Sequence, residues 1–217
     1  MKNKININYV TSSQSKMQEN DIFREKGHLP DGTPVKDLFE FKIRSLPIKE
    51  TLEIDIQVMV KEEVSKAYAQ LKVPCIVEHA GLIFIDRLDK GYPGGLTKPM
   101  WDALRDQFIF ETRSANREAI ARAVVAYCDG MNILTFVGER EGRIAASPRG
   151  SRKFYWDTIF IPTDPTNTVS DKTYAEIVDD PDLGLEFKVL RLSQSTMAMI
   201  NFLEHLRSAS PPKLWPQ

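Results

Sequence analysis

The stretch ININYVTSSQSKMQENDIFRE, residues 5–25, decides the fold class. Ile5 to Val10 alternates β-branched and polar residues, the period-two pattern of a strand, then breaks into three hydroxyls, Thr11-Ser12-Ser13. Ser15 to Glu25 continues as a short helix. A strand, a hydroxyl-rich turn and a helix N-terminus make an anion cradle, because loop and helix-end amides aim unpaired donors at one spot. Thr11 and Ser13 belong to that turn, and Lys16 adds positive charge to it.

Beyond this unit, strands and helices keep alternating. Gly27, Pro30, Gly32 and Pro34 mark residues 27–36 as an excursion, and a strand follows from Phe39 to Leu46. Ile56, Val60, Val64, Ala67 and Leu71 recur at three- or four-residue spacing, which predicts a helix over 54–71 before Pro74 and the strand Cys75–Val77. Leu82–Ile85 extends the sheet, and GYPGGLTKP at 91–99 is a rigid loop. Residues 115–128 read as a helix, and Leu134–Val137 with Arg143–Ala146 as a hairpin across GEREG. A short strand at Thr158–Ile161 and a helix over 195–206 complete the pattern. The expectation is an α/β fold in one domain, residues 1–208, with a Pro-rich tail at 209–217.

Composition narrows the function. The chain of 217 residues can bury roughly 70% of its unfolded surface without staples. Lys+Arg 29 against Asp+Glu 30 leaves a net charge of -1, which argues against a broad cationic surface for duplex nucleic acid and allows a local pocket for a small polyanion. Cys75 and Cys128 sit in apolar runs and read as reduced core thiols. The N-terminus lacks a signal-peptide core and no stretch reaches membrane-spanning length, so cytoplasmic residence and no membrane contact are expected.

Two stretches carry candidate chemistry. In PRGSRKFYWDTIFIP, residues 148–162, Arg149, Arg152 and Lys153 could meet phosphate oxygens, Phe154 or Trp156 could cover a purine ring, and Asp157 could accept from a base N–H; alternatively the aromatics fill the gap between sheet and loop and the basic residues face water. Glu78-His79 follows an apolar strand, where a carboxylate can hold Mg²⁺ on a triphosphate and an imidazole can serve as base, phosphate partner or plain surface group. Lys98 lies in a glycine-rich turn that fails the phosphate-loop pattern but could still reach a neighbouring pocket.

In order along the chain, these segments resemble the inosine/xanthosine triphosphate pyrophosphatases, which clear non-standard purine nucleotides. The family's T-G-N-x-x-K loop is matched by Thr11-Ser12-Ser13-Gln14-Ser15-Lys16, its acidic pair by Glu78-His79-Ala80-Gly81-Leu82, and its G-x-P-G loop by Gly91-Tyr92-Pro93-Gly94. Phe136, Gly138, Gly142, Ile144, Pro148-Arg149-Gly150 and Phe154-Tyr155-Trp156-Asp157 follow the family's most specific run, and Thr173-Tyr174-Ala175-Glu176-Ile177 its T-[FY]-A-E-[ML].

The resemblance implies an elongated, two-lobed mixed sheet with flanking helices and a central nucleotide cleft, usually dimeric, that cleaves the α–β phosphate link with Mg²⁺. It assigns phosphate to Lys16, base stacking to Phe154, the rest of the base pocket to Trp156 and Asp157, and metal to Glu78 with an acid from the segment of Glu50, Glu53 and Asp55, Glu53 being taken first. Lys61 or Lys66 would stand for a family lysine. Four chemical positions depart from the pattern: Ser13 replaces an asparagine, His79 the second carboxylate, Tyr155 a glycine, and Ser193-Gln194-Ser195 the base-reading S-H-R. Gln194 keeps hydrogen-bonding capacity but loses the guanidinium. The expected function is binding of an inosine-, deoxyinosine- or xanthosine-type triphosphate with weak or absent hydrolysis, in a homodimer that signals nucleotide to an effector. An active Mg²⁺-dependent pyrophosphohydrolase and a partner-binding protein with a blocked pocket are the alternatives.

Overall fold

A computed structural model describes residues 4–208, apart from the side chains of residues 152–154. Its seven strands form one mixed sheet in the order β2-β1-β3-β5-β6-β7, with β4 on a branch from β3. The first strand, β1 (Ile5–Val10), runs into α1 (Gln14–Lys26), where Ser13 caps the first turn by accepting from the Lys16 amide. A single turn, α2 (Val35–Leu38), leads to β2 (Phe39–Arg44), parallel to β1. Helix α3 (Ile56–Leu71) crosses back to β3 (Cys75–Phe84), which is parallel to β1 on its other side.

The chain thus leaves β1 in one direction and passes it in the other. The two helices lie on opposite faces: Phe23 of α1 packs with Ile7, Tyr9, Phe39 and Phe41, while Val60, Val64 and Ala67 of α3 pack with Val10 and Val77. A reversal of this kind opens a crevice at the carboxyl ends of the strands where it occurs. The pairing shows the opening directly. β1 reaches β3 only at Cys75 and Ile76, and β4 (Pro93–Gly94) rejoins that edge at Leu82 and Ile83. Among the described residues, 77–81 of β3 have no strand beside them on that edge.

The opposite edge of β3 is fully paired with β5 (Glu118–Cys128), and β5 with β6 (Ile133–Ile144), both antiparallel. Their near halves lie between α3 and α7 (Gln194–Ser208), which brings Met199, Phe202 and Leu203 to the sheet. Their far halves support a second core of Phe84, Phe108, Ile144, Phe160 and Tyr174. That core also draws on α4 (Thr97–Leu104), β7 (Phe160–Pro162) and α5 (Tyr174–Asp179); α6 (Gly184–Phe187) leads into α7 through a π-helical turn, Lys188–Leu192. The mixed α/β sheet with flanking helices is as the sequence implied, and no described helix is long and apolar enough to cross a membrane. Both cysteines are buried and unbonded.

Two local readings are corrected. Residues 118–128 are a strand, not a helix: the alanine-rich run has helical propensity, but helices cover both faces of this strand and its alanines give them room to pack. The expected hairpin is one continuous strand, β6. Its glycines permit close approach instead of a turn, since a Cβ on Gly138 would lie 2.1 Å from the Gln194 carbonyl and one on Gly142 2.3 Å from that of Ile161.

At the β3–β4 junction the fully buried Thr97 hydroxyl accepts from the Leu82 amide at 2.8 Å and donates to the Gly94 carbonyl at 2.6 Å. Thr97→Val keeps the shape but leaves the buried amide unsatisfied, and should lower stability by about 1–3 kcal/mol in urea unfolding. Wild-type stability in that variant would show that the hydroxyl bridge contributes nothing.

Candidate active site

The unpaired edge of β3 borders a cavity of about 570 Å³, into which the Thr11–Lys16 turn, the start of α4, the segment 155–157 and the start of α7 converge. Strand alternation divides its floor. Glu78 faces the α1 and α7 side, and His79 the α3 side.

Glu78 is buried, and both of its carboxylate oxygens accept hydrogen bonds. Ser195 donates to its Oε1 at 3.0 Å, while Oε2 receives the Lys16 ammonium at 2.8 Å and the Tyr9 hydroxyl at 3.4 Å. Lys16 Nζ also donates to the Glu78 carbonyl. Burial pushes the Glu78 carboxyl up, but the Lys16 charge and the hydrogen bonds from Lys16 and Ser195 outweigh it and hold the group below its ordinary value. Burial and the same ammonium push His79 down to about 4, leaving a neutral imidazole. Its Nε2 has no hydrogen-bond partner. Glu63 of α3 also borders the cavity with an unpartnered Oε1, and burial with the nearby Glu50 charge raises its carboxyl to about 7.

On the other side, Lys188 joins Asp157 and Glu19 in a buried cluster, 2.9 Å from Glu19. Burial opposes its charge, but the two carboxylates prevail and keep it protonated well above its ordinary range. Gln194 Oε1 lies 3.1 Å from the Tyr174 hydroxyl, an arrangement that leaves Nε2 to donate elsewhere. Lys98 sits 3.7 Å from Glu50 and 5.9 Å from the centre of the Tyr155 ring.

Thr11, Ser13, Lys16, Glu78, His79, Lys98, Trp156, Asp157 and Gln194 therefore meet around one cavity. Other expected residues do not. Arg149 is held by Glu176 at 3.0 Å and Asp171 at 3.4 Å, fastening its loop to the capped N-terminus of α5 instead of facing phosphate. Glu53 turns its Oε1 back onto the amides of Ile54 and Asp55, and Glu50 borders the cavity in its place. Lys61 and Lys66 are not among the lining residues either; Lys66 bonds Thr51. The Phe154 side chain lies outside the described residues.

Mg²⁺ calls for hard oxygen ligands. The expected pair as arranged does not supply them: the Lys16 ammonium occupies Oε2 of Glu78, Glu53 is outside the cavity lining, and position 79 carries nitrogen. Among the described residues no three His, Cys, Asp or Glu side chains form a metal-binding group. Glu53 and Glu78 as arranged do not fit Mg²⁺.

Tyr9, Glu19, Glu63 and Lys188 were missed in the sequence reading. Glu63 had a visible signal, since 56, 60, 63 and 67 form one helical stripe that is otherwise apolar. Lys188 similarly interrupts the buried run around Val189 and Leu192. Lys188→Met would leave Asp157 and Glu19 without their shared counter-ion and should cost about 3–5 kcal/mol in unfolding free energy. Adding Asp157→Asn and Glu19→Gln should recover part of the loss; no recovery would mean that charge is not what the lysine supplies.

A model of the Ham1 family matches residues 7–181. The chain is 39% identical over 134 residues to the dITP/XTP pyrophosphatase of Methanopyrus kandleri, covering 60% of this chain and 64% of that relative. With the dITP/XTP pyrophosphatase of Ignicoccus hospitalis it shares 32% identity over 179 residues, 78% of this chain and 87% of the relative. The solved structure of a HAM1 protein from Coxiella burnetii has the same fold, with a TM-score of 0.67 at 20% identity over 94% of this chain and 100% of that one. On a family match spanning residues 7–181 and 32% identity over most of both sequences, the chain belongs to the Ham1 family.

Proposed function

We propose that this protein binds an inosine-, deoxyinosine- or xanthosine-type triphosphate and hydrolyses it weakly or not at all, serving as a nucleotide-sensing subunit. The observation that carries this reading is the state of the Glu78-His79 pair: one member is tied by Lys16, Ser195 and Tyr9, and the other is an imidazole. The substrate class follows the names of the relatives, dITP/XTP pyrophosphatases.

Binding draws on parts that remain. The Ser13-capped start of α1 offers amides to phosphate, and Lys16 and Lys98 border the same cavity. Gln194 Nε2 can donate to the oxygen at position 6 of hypoxanthine or xanthine, where adenine carries an amine. Trp156 closes the base end against Phe160 and Tyr174, and Phe154 is assigned the stacking role from its place in the family pattern.

Hydrolysis asks for more. A water must be held in line with the α–β phosphate link and lose its proton as the phosphorus–oxygen bond forms, a demand felt mainly in the transition state. Glu78 is occupied, and the neutral His79 is a weak base. The competing reading, an active Mg²⁺-dependent pyrophosphohydrolase, draws on the same imidazole, whose unpartnered Nε2 could take that proton. A subunit that binds without turnover can still act on an effector, or through a homodimer, if ligand favours one of two states.

Calorimetry with inosine, deoxyinosine, xanthosine, adenosine and guanosine triphosphates, paired with pyrophosphate release, separates the readings. Wild type should bind the inosine forms without measurable turnover, and His79→Asp should gain turnover. Wild-type rates of about 1–1000 per second would establish the active enzyme instead. Gln194→Ala should weaken inosine triphosphate by about threefold to tenfold and leave adenosine triphosphate unchanged; equal affinity for all five nucleotides would remove the base-reading claim.

A further inference from the structure

The two thiols of the chain meet at one rung of the sheet. Cys75, the first residue of β3, is the direct register partner of Cys128, the last residue of β5. Opposed residues of an antiparallel pair put their side chains on the same face, and both cysteines belong to the core under α3. Their Cα atoms are therefore about 4.5 or 5.5 Å apart, within the span of about 4.4–6.8 Å that a disulfide bridges. The backbone need not move for a bond to form.

Access decides whether this rung can react. Both side chains are buried, but each stands at the end of its strand beside an exposed turn: Lys72, Val73 and Pro74 precede Cys75, and Gly130 and Met131 follow Cys128. Strand ends are where a sheet opens at least cost. Burial, with Cys128 alongside, pushes the Cys75 thiol up to about 12, so the closed pair is inert near neutral pH and exchange waits on that opening. Cys128 keeps 5% exposure against 1% for Cys75, which makes it the sulfur that a small oxidant meets first.

We propose that Cys75 and Cys128 form a reversible dithiol–disulfide couple, a modification site for small disulfides of the glutathione type. The Cys128 thiolate attacks one sulfur of the oxidant, whose sulfur–sulfur bond breaks and releases one thiolate. The Cys75 thiolate then attacks the Cys128 sulfur of that mixed disulfide and expels the second. One oxidant disulfide becomes two thiols, the protein pair loses two electrons, and the two cysteine protons end on the released thiols. The bond acts beyond its own rung. β1 registers with β3 at Cys75 and Ile76, and Tyr9, the partner of Ile76, donates to Glu78 at the cavity floor. Oxidation closes a loop of about 50 residues and holds the strand end that carries this pairing.

The test equilibrates the native full chain in glutathione buffers of graded oxidised-to-reduced ratio, traps the remaining thiols with a maleimide, and maps tryptic peptides without reduction. Peptide 73–87 should appear joined to peptide 123–140, from a monomer lighter by two hydrogens. The oxidised chain should unfold at higher urea than the reduced one, and hydrogen exchange over the β1–β3 pairing should slow. Cys75→Ser should stop at a glutathione adduct on Cys128. The wild-type peptide map stands even if that variant fails to fold. Three results would each overturn the couple: thiols that stay free at the most oxidising ratio, a link found only between two chains, or an oxidised chain that unfolds at lower urea than the reduced one. None of them touches the nucleotide reading, because neither cysteine borders the cavity.

Discussion

A carboxylate removed from water must be met by charge and hydrogen bonds, and at Glu78 that requirement gathers four elements. Lys16 comes from α1, Tyr9 from β1 and Ser195 from α7, all onto one side chain of β3. Removing any one partner would leave part of a buried charge uncompensated, a costly outcome in a low-dielectric setting. The same contacts fix the floor of the cavity, because they hold the start of α7 and the Thr11–Lys16 turn against the unpaired edge of β3. They also determine what Glu78 has left to give. A carboxylate that organises its surroundings so completely has no oxygen that is not already accepting a hydrogen bond.

Strand parity extends this constraint to the next residue. With Glu78 committed to the α1 and α7 side, position 79 must face α3, where the environment is largely apolar: Val60, Val64, Val77 and Val124. A neutral imidazole is less costly there than a second carboxylate. Across the cavity one ammonium, that of Lys188, is shared between Asp157 and Glu19. Among the described residues, the lysines bordering the cavity are already paired with carboxylates, so a ligand that engages them exchanges one ion pair for another.

Where local pattern and tertiary setting agreed, the sequence was readable. The strand-turn-helix opening, the α3 stripe and the C-terminal helix could be located from periodicity, because each has one buried and one wetter face. The strand at 118–128 was not readable in this way: Ala119, Ala121, Ala123 and Ala126 give a helical composition, and only packing on both faces makes them sheet residues. The site divided similarly. Most of the motif residues singled out for chemistry border the cavity, but Arg149 pairs with Glu176 and Asp171, 27 and 22 positions away, and short-range spacing carries no information about such pairs. Glu63 was visible as a charged interruption of an apolar stripe, although its place at the cavity needed the fold.

The long strands β3, β5 and β6 run from the core under α7 to the core around Phe160 without a break. Continuous hydrogen-bonded ribbons of this kind have no joint at which the halves could swing apart. Beside that unbroken sheet, Lys98 stands between Glu50 and the exposed ring of Tyr155. Exposed side chains change rotamer in picoseconds to nanoseconds. Contacts of this kind at the cavity can rearrange while the sheet beneath them keeps its hydrogen bonds.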